Sequence, residues 1–291
     1  MEKTNELTVK HSKSPSINPV PFSALFTSDV KSYIAECIAA SQSSTKVFFH
    51  LPKTGGTSIR TALNEEIQKV LHIKKYSELG QWNQVLKQQK EAPYGLISGH
   101  LNSSSLNALY AAGEPIMAIT FIRDPMERIL SQYRYMVSSK YPNHLEFREN
   151  FEGLKDFIQD GLPKNPMLSM LLGECSTIDQ AMHLTDKNFM FVGLAEYSAM
   201  HSFLIQRCFG LKKFHIPGRI NQTVSSIENA VTLDASTIDL IKDKCALDIE
   251  FYTRIKEMHI SIADQIFSAL YEVIAGNVDE ILFPPLKETH E

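Results

Sequence analysis

The strongest constraint on the fold is an alternation, from about residue 46 onward, of short apolar runs with stretches of helical periodicity. The apolar runs that predict buried strands are residues 46–51, 94–98, 116–122 and 189–194. Residues 58–71 space their apolar side chains along one face of a helix, and the chain after Asp234 is mostly helical. Because parallel strands need crossover helices, this order predicts an α/β fold: a central parallel sheet flanked by helices on both faces, followed by a helical C-terminal part.

The organisation of the chain predicts one domain with a short N-terminal extension. Residues 1–22 are rich in Ser, Lys, Asn and Pro, a composition typical of a loose tail. After residue 46 no stretch has the composition of a strong linker, and no internal repeat is present. We therefore expect residues 23–291 to form a single domain.

Charge and cysteine content exclude several classes of protein. With 29 Lys and Arg against 33 Asp and Glu, the formal net charge is −4, which argues against a nucleic-acid or membrane-surface binder. The 4 cysteines are far apart and lack metal-ligand spacing, so we expect free thiols in a reducing compartment. The N-terminus is polar and the apolar stretch at 34–40 is too short to span a bilayer, which predicts a soluble, cytoplasmic protein.

The first candidate site is the segment Pro52-Lys53-Thr54-Gly55-Gly56-Thr57-Ser58, between the first strand and the first helix. Adjacent glycines allow a tight turn, and the N-terminus of the following helix offers unpaired N–H groups and a positive dipole end. Three hydroxyls, on Thr54, Thr57 and Ser58, can add donors, and Lys53 adds a positive charge. The segment predicts a phosphate or sulfate site, although a plain turn with a helix cap is the simpler interpretation. It is not a Walker A motif, because its lysine precedes the glycines.

The second candidate site follows the third apolar run, in the segment Thr120–Ser131. Asp124 and Pro125 have the pattern of an N-cap and first helical residue, which explains Asp124 better than a magnesium ligand does. Arg123 at the end of a buried strand is expected in the crevice where such sheets bind ligands, and its guanidinium suits a bidentate grip on phosphate. A salt bridge to Asp124 or Glu127 is the simpler interpretation of Arg123.

These motifs resemble those of sulfotransferases that use 3′-phosphoadenosine-5′-phosphosulfate (PAPS), and more narrowly the carbohydrate group with the heparan sulfate 2-O and 6-O enzymes. The segments that carry the resemblance are HLPKTGGTS at 50–58 and ITFIRDPMERILSQYRY at 119–135. Weaker similarity lies in ISGH at 97–100, FVGLAE at 191–196 and LDIEFY at 247–252. Residues 140–188 match nothing in that group. The resemblance implies a P-loop-like domain and an enzyme that produces adenosine 3′,5′-bisphosphate without a metal.

The resemblance also implies a role for each matched residue. The 5′-phosphosulfate would be bound by the loop, that is by Lys53, Thr54, Gly55, Gly56, Thr57 and Ser58. Arg123 and Ser131 would hold the 3′-phosphate, and Lys53 would contact the bridging oxygen. His100 would be the general base for an acceptor hydroxyl on a saccharide. Arg219, in the segment KKFHIPGRINQT with Lys212 and Lys213, is a candidate for a late loop over the nucleotide, and a solvated surface run explains it equally well.

Two other functions remain open from the sequence. An ATP-dependent small-molecule kinase would bind its phosphates with the same glycine-bearing loop and would use Asp124 as a magnesium ligand. A non-catalytic module would bind the nucleotide without turnover. Acceptor identity and oligomeric state are not specified by any motif.

Overall fold

The computed structural model describes residues 18–74, 82–113, 115–215, 231, 233–276 and 281–282. Its main sheet contains the strands β1 (Thr45–Phe49), β2 (Val70–Ile73), β3 (Leu96–Gly99), β4 (Ile116–Ile122) and β5 (Phe191–Leu194). They are arranged in the order β2-β3-β1-β4-β5, and every pair is parallel. A second, two-stranded sheet pairs β6 (Phe214–His215) with β7 (Ile281–Leu282). The predicted α/β fold with a central parallel sheet is confirmed.

Helices occupy most of the remaining described chain. In order they are α1 (Ala24–Thr27), α2 (Val30–Ser41), α3 (Gly56–Asn64), α4 (Trp82–Glu91), α5 (Ser103–Ala111), α6 (Pro125–Met136), α7 (His144–Asn150), α8 (Leu154–Asp160), α9 (Pro166–Leu172), α10 (Ile178–Asn188), α11 (Ser198–Cys208), α12 (Ala235–Lys244), α13 (Ala246–Ser261) and α14 (Ala263–Gly276). The helices predicted after Pro125 and after Asp234 are both present. Helices α7 to α10 fill residues 144–188, a stretch in which the sequence analysis found no motif.

The register of the sheet brings three strand ends side by side. Phe49, the last residue of β1, is paired with Gly99 of β3 on one side and with Thr120 of β4 on the other. Because all strands are parallel, the segments that follow β3, β1 and β4 leave the sheet at the same edge. All seven residues of β4 are buried, as expected for a strand covered on both faces.

Two hydrophobic clusters stabilise the fold. The larger one joins the sheet to α2, α3, α11 and α13, and its fully buried aromatics include Phe48, Phe121 and Phe191. The smaller one lies between α6, α7, α8 and α12, around Ile129 and Phe157. The second cluster anchors α6, the helix that begins next to Arg123.

Two local predictions are wrong. The helix expected over 58–71 ends at Asn64, and Val70 begins strand β2 instead. Lys69, directly before that strand, has a positive φ of 57°, which a helix could not have continued through. The loose tail expected to end at residue 22 ends earlier, since Val20 and Phe22 are 0% and 1% exposed in the main core. Residues 1–17 lie outside the described residues.

Candidate active site

The loop between β1 and α3 has an unusual backbone. Lys53 has φ 69°, and Gly55, the N-cap residue of α3, has φ 77°, so two left-handed residues flank Thr54. Thr54 is fully buried, and its hydroxyl donates a hydrogen bond to the carbonyl of Leu51 at 2.8 Å. The sequence predicted this hydroxyl as a donor to an anion; in this structure it closes the turn instead. Thr57 and Ser58 lie half-buried in the first turn of α3.

The close approach of the His50 ring requires a glycine at position 56. A β-carbon at this position would lie 2.0 Å from Cδ2 of His50, which is itself buried. The first turn of α3 therefore packs directly against the end of β1. This approach holds the N-terminal N–H groups of α3 at the carboxyl edge of the sheet.

The ammonium group of Lys53 is held over an aromatic ring. Its Nζ lies 4.5 Å from the ring centroid of Tyr135 on α6, a cation–π contact. Burial lowers the pKa of Lys53, and the positive charge of Arg123 lowers it further. The two cations that the sequence predicts are therefore close enough to affect each other. The sequence did not assign Tyr135 to the site, because aromatics at helical spacing more often belong to a core.

Arg123 lies at the junction of β4 and α6. Its Nη2 contacts Oε2 of Glu127 at 3.1 Å, with side-chain exposures of 31% and 54%. The ion pair that was the simpler interpretation is thus present. An exposed pair of this kind contributes about 0–1 kcal/mol, so a phosphate can compete for the guanidinium at little cost.

Asp124 caps α6. Its carboxylate accepts a hydrogen bond from the N–H of Glu127 at 3.0 Å, and Pro125 is the first helical residue. The capping interpretation of Asp124 is confirmed, and its carboxylate is used within the helix rather than presented as a metal ligand. Among the described residues no group of three or more His, Cys, Asp or Glu side chains could hold a metal ion.

His100 follows β3 at the same edge. Its Nδ1 lies 3.1 Å from the carbonyl oxygen of His50, and its ring stacks on that of His50 with centroids 4.7 Å apart. A carbonyl can only accept, so Nδ1 carries the proton and Nε2 is the unprotonated nitrogen. Burial lowers the pKa of His100, the bond to His50 partly opposes that effect, and the charge of Arg60 adds to it. His100 is therefore neutral near pH 7.

A cluster of basic side chains surrounds His100. Burial and the neighbouring charges of His100, Arg60, His72 and Lys53 lower the pKa of His50 to about 3. Burial and the charge of Arg60 also lower the pKa of His72, at the end of β2. Sequence reasoning placed neither His50 nor His72 in the site, because their proximity to His100 depends on the strand order.

The remaining predicted residues are less closely connected. Ser131 is half-buried on α6, almost two turns after Pro125. Lys212 and Lys213 are exposed just before β6, and Arg219 lies outside the described residues. His215 of β6 contacts Glu66, just beyond α3, at 3.2 Å, so β6 lies near the C-terminal end of α3.

A parallel sheet with cationic side chains and a glycine-bearing βα loop at one edge defines an α/β protein with a positively charged sheet edge. Comparison with known families identifies the protein further: the family model described as the sulfotransferase family matches residues 41–252. The chain therefore belongs to the sulfotransferase family. The matched range includes both sequence motifs and His100.

Two further comparisons complete these findings. Among solved structures, the chain is similar to mouse sulfotransferase SULT7A1 complexed with PAP, with a TM-score of 0.34 and 13% sequence identity over 81% of this chain and 70% of that one. A search of curated proteins gave no match. In the part of the chain that the structure describes, no helix has the length and apolarity to cross a membrane.

Proposed function

We propose that the protein transfers the sulfuryl group of PAPS to a hydroxyl group of a saccharide, by in-line displacement with His100 as general base. The observation that carries the proposal is the placement of Lys53, Arg123 and His100 after three adjacent strands, β1, β4 and β3. The positive charge of Arg123 lowers the pKa of Lys53, and this proximity supports contacts from both cations to one nucleotide.

The donor set fits a nucleotide with anionic groups at both ends. The exposed Gly55, with nothing within 4 Å of an added β-carbon, leaves space for an anion at the N-terminus of α3, Gly56 lets that helix begin close to His50, and Lys53 would add the charge for the 5′-phosphosulfate. Arg123 and, on α6, Ser131 would hold the 3′-phosphate. The hydroxyls of Thr57 and Ser58 would donate hydrogen bonds to the 5′-phosphosulfate. For Thr54 we propose only a backbone contribution. Arg219 would add a contact from the late loop.

PAPS supplies, when bound, an activated sulfuryl group whose leaving group is adenosine 3′,5′-bisphosphate. Nε2 of His100 is in the correct protonation state to accept the proton of an attacking hydroxyl. The bond from Nδ1 to the His50 carbonyl fixes the ring orientation and stabilises the positive charge that forms on the imidazole. Lys53 and the loop N–H groups would stabilise the negative charge that develops on the leaving oxygen.

The acceptor, the compartment and the extent of the domain are further parts of the proposal. The resemblance to carbohydrate sulfotransferases supports a saccharide acceptor, and the acidic net charge with free cysteines supports a cytoplasmic location. The main cluster includes Val20 near the start of the described chain and Leu270 near its end, which supports one domain. No described residue supports the kinase alternative over this one.

The nucleotide assignment is tested by binding. A selective rise in melting temperature with adenosine 3′,5′-bisphosphate over ATP is expected. Arg123→Ala should weaken that binding by about 10- to 150-fold, the loss of 1.5–3 kcal/mol for a charged hydrogen-bonding group. Arg254→Ala, which removes an exposed cation on α13 outside the proposed contacts, is the matched control. Equal affinity for ATP and the bisphosphate would contradict the assignment.

The reaction itself is tested by transfer of labelled sulfate from PAPS to a panel of saccharides. Lys53→Ala should lower the transfer rate by about 10²- to 10³-fold, as expected for removing one group that stabilises developing charge. Full activity of Lys53→Ala, or transfer only to non-saccharide hydroxyls, would contradict the corresponding part of the proposal.

A further inference from the structure

The peptide unit between Arg123 and Asp124 is held from outside its own helix. The backbone N–H of Asp124 donates a hydrogen bond to Oε1 of Glu196 at 3.2 Å. Glu196 lies in the turn that follows β5, and Ile122 of β4 is paired with Leu194 of β5. Asp124 and Glu196 therefore each lie two residues beyond the same cross-strand pair, Ile122 and Leu194, of two neighbouring strands.

A second residue lies beside Glu196. Tyr252 on α13 is 7% exposed. Burial raises its pKa, and the charges of Glu196 and Asp124 raise it further, so its hydroxyl keeps its proton and can donate to the carboxylate of Glu196. Glu196 thus lies between Tyr252 and the backbone N–H of Asp124.

Asp124 is also fixed at its other polar atoms. Its carboxylate accepts from the N–H of Glu127 at 3.0 Å, and its carbonyl accepts from the N–H of Arg128 at 2.8 Å. Because a peptide unit is planar, fixing the N–H of Asp124 also fixes the carbonyl of Arg123 and the direction in which that residue leaves β4. The position of the guanidinium then depends only on the side-chain torsions of Arg123.

We propose that Glu196 and Tyr252 are positioning residues that orient Arg123 towards the 3′-phosphate of the nucleotide. The proposal rests on the proposed function, in which Arg123 binds that phosphate. It assigns a role to the segments FVGLAE and LDIEFY, since Glu196 ends the first and Tyr252 ends the second. Neither residue needs to touch the nucleotide.

The test compares two nucleotides that differ in the 3′-phosphate: adenosine 3′,5′-bisphosphate and adenosine 5′-monophosphate. Glu196→Ala should weaken binding of the bisphosphate by about 5- to 20-fold and leave the monophosphate unchanged, because the lost hydrogen bond acts only through Arg123. Glu196→Gln keeps an acceptor oxygen and should restore most of the affinity. Tyr252→Phe should weaken bisphosphate binding by about 2- to 5-fold. Glu250→Ala, an exposed acid on α13, is the control.

A double variant separates the possible failures. Arg123→Ala with Glu196→Ala should bind the bisphosphate no more weakly than Arg123→Ala alone, because both changes remove the same contact. If Glu196→Ala lowers only the melting temperature, or affects both nucleotides equally, the positioning role is overturned while the role of Arg123 stands. If Arg123→Ala leaves the preference for the bisphosphate unchanged, the 3′-phosphate assignment fails and the positioning role fails with it. Tyr252→Phe gives the same test if Glu196→Ala does not fold.

Discussion

The imidazole of His50 fills the space that a side chain on Gly56 would occupy. An ideal β-carbon on Gly56 would lie 2.0 Å from Cδ2 and 2.4 Å from Nε2 of His50. The glycine is therefore fixed by packing against a buried residue of the sheet edge, in addition to any contact with a ligand.

Gly56→Ala should destabilise the protein by roughly 1–3 kcal/mol, the usual cost of overpacking, and should weaken nucleotide binding because the start of α3 must shift. Urea unfolding and titration with adenosine 3′,5′-bisphosphate measure the two effects. Gly153→Ala is the control, because nothing lies within 4 Å of a β-carbon there. In the double variant with His50→Ala, the free energies of unfolding should not add, and strict additivity would contradict the contact.

Tyr135 should support Lys53 through its ring rather than its hydroxyl. The Nζ of Lys53 lies 4.5 Å from the ring centroid, so Tyr135→Phe retains the cation–π contact and should keep a transfer rate within about 2-fold of the wild type. Tyr135→Leu removes the ring and should lower kcat by about 5- to 30-fold, which corresponds to a contribution of about 1–2 kcal/mol from the contact. Equal rates for the two variants would show that the ring is not needed.

The pH profile of the reaction should reflect the protonation of His100. Burial lowers its pKa below the ordinary value of 6.5, and the base must be neutral to accept a proton. The acidic limb of kcat/KM should therefore have its midpoint below pH 6.5, and activity should fall as the pH decreases through it. A midpoint above pH 7 would contradict this.

Replacement of His100 tests the same group directly. His100→Ala should lower kcat by about 10²- to 10⁴-fold with a smaller change in nucleotide affinity, since a general base acts on the acceptor. His183→Ala, an exposed histidine on α10, is the matched control and should retain activity.

A buried histidine pair should make folding stability depend on pH. His201 and His259 have ring centroids 4.4 Å apart; Nδ1 of His201 accepts from the N–H of Leu194, and Nε2 of His259 donates to the carbonyl of Val192. Burial lowers the pKa of His201, and lowers that of His259 to about 4. The unfolded chain therefore binds more protons below pH 6.5, and stability falls as the pH decreases from 6.5 to 4.

For His259 the shift from 6.5 to about 4 corresponds to a loss on the order of 3 kcal/mol. Urea unfolding at pH 7.5 and pH 4.5 measures it. In His259→Leu the free energy of unfolding should change less between the two pH values than in the wild type, by a similar amount. If the variant and the wild type show the same change, the histidine pair does not take up protons on unfolding.

The sequence predicted the parts of the site that depend on local pattern. The β1–α3 loop, the strand that leads into Arg123 and the cap at Asp124 are each encoded within about ten consecutive residues, so periodicity and capping rules identify them. The fold class followed for the same reason. Free cysteines were also predicted, and all four are free in the structure.

The sequence could not predict contacts that depend on the order of the strands. His72 and Arg60 surround His100 because β2, β3 and β1 are neighbours, and Tyr135 reaches Lys53 because α6 lies beside the β1–α3 loop. The helix predicted through residue 71 failed because apolar spacing continues past Asn64, while the positive φ at Lys69 has no signal in the residue type.

At position 53 the stability of the fold and the chemistry of the site favour different residues, because the backbone is left-handed. A residue with a β-carbon at φ 69° costs on the order of 1–2 kcal/mol relative to glycine, and yet the ammonium group must stand at this point of the turn. A library of variants ranked by thermal tolerance would therefore enrich glycine here, whereas the same library ranked by turnover would retain the lysine.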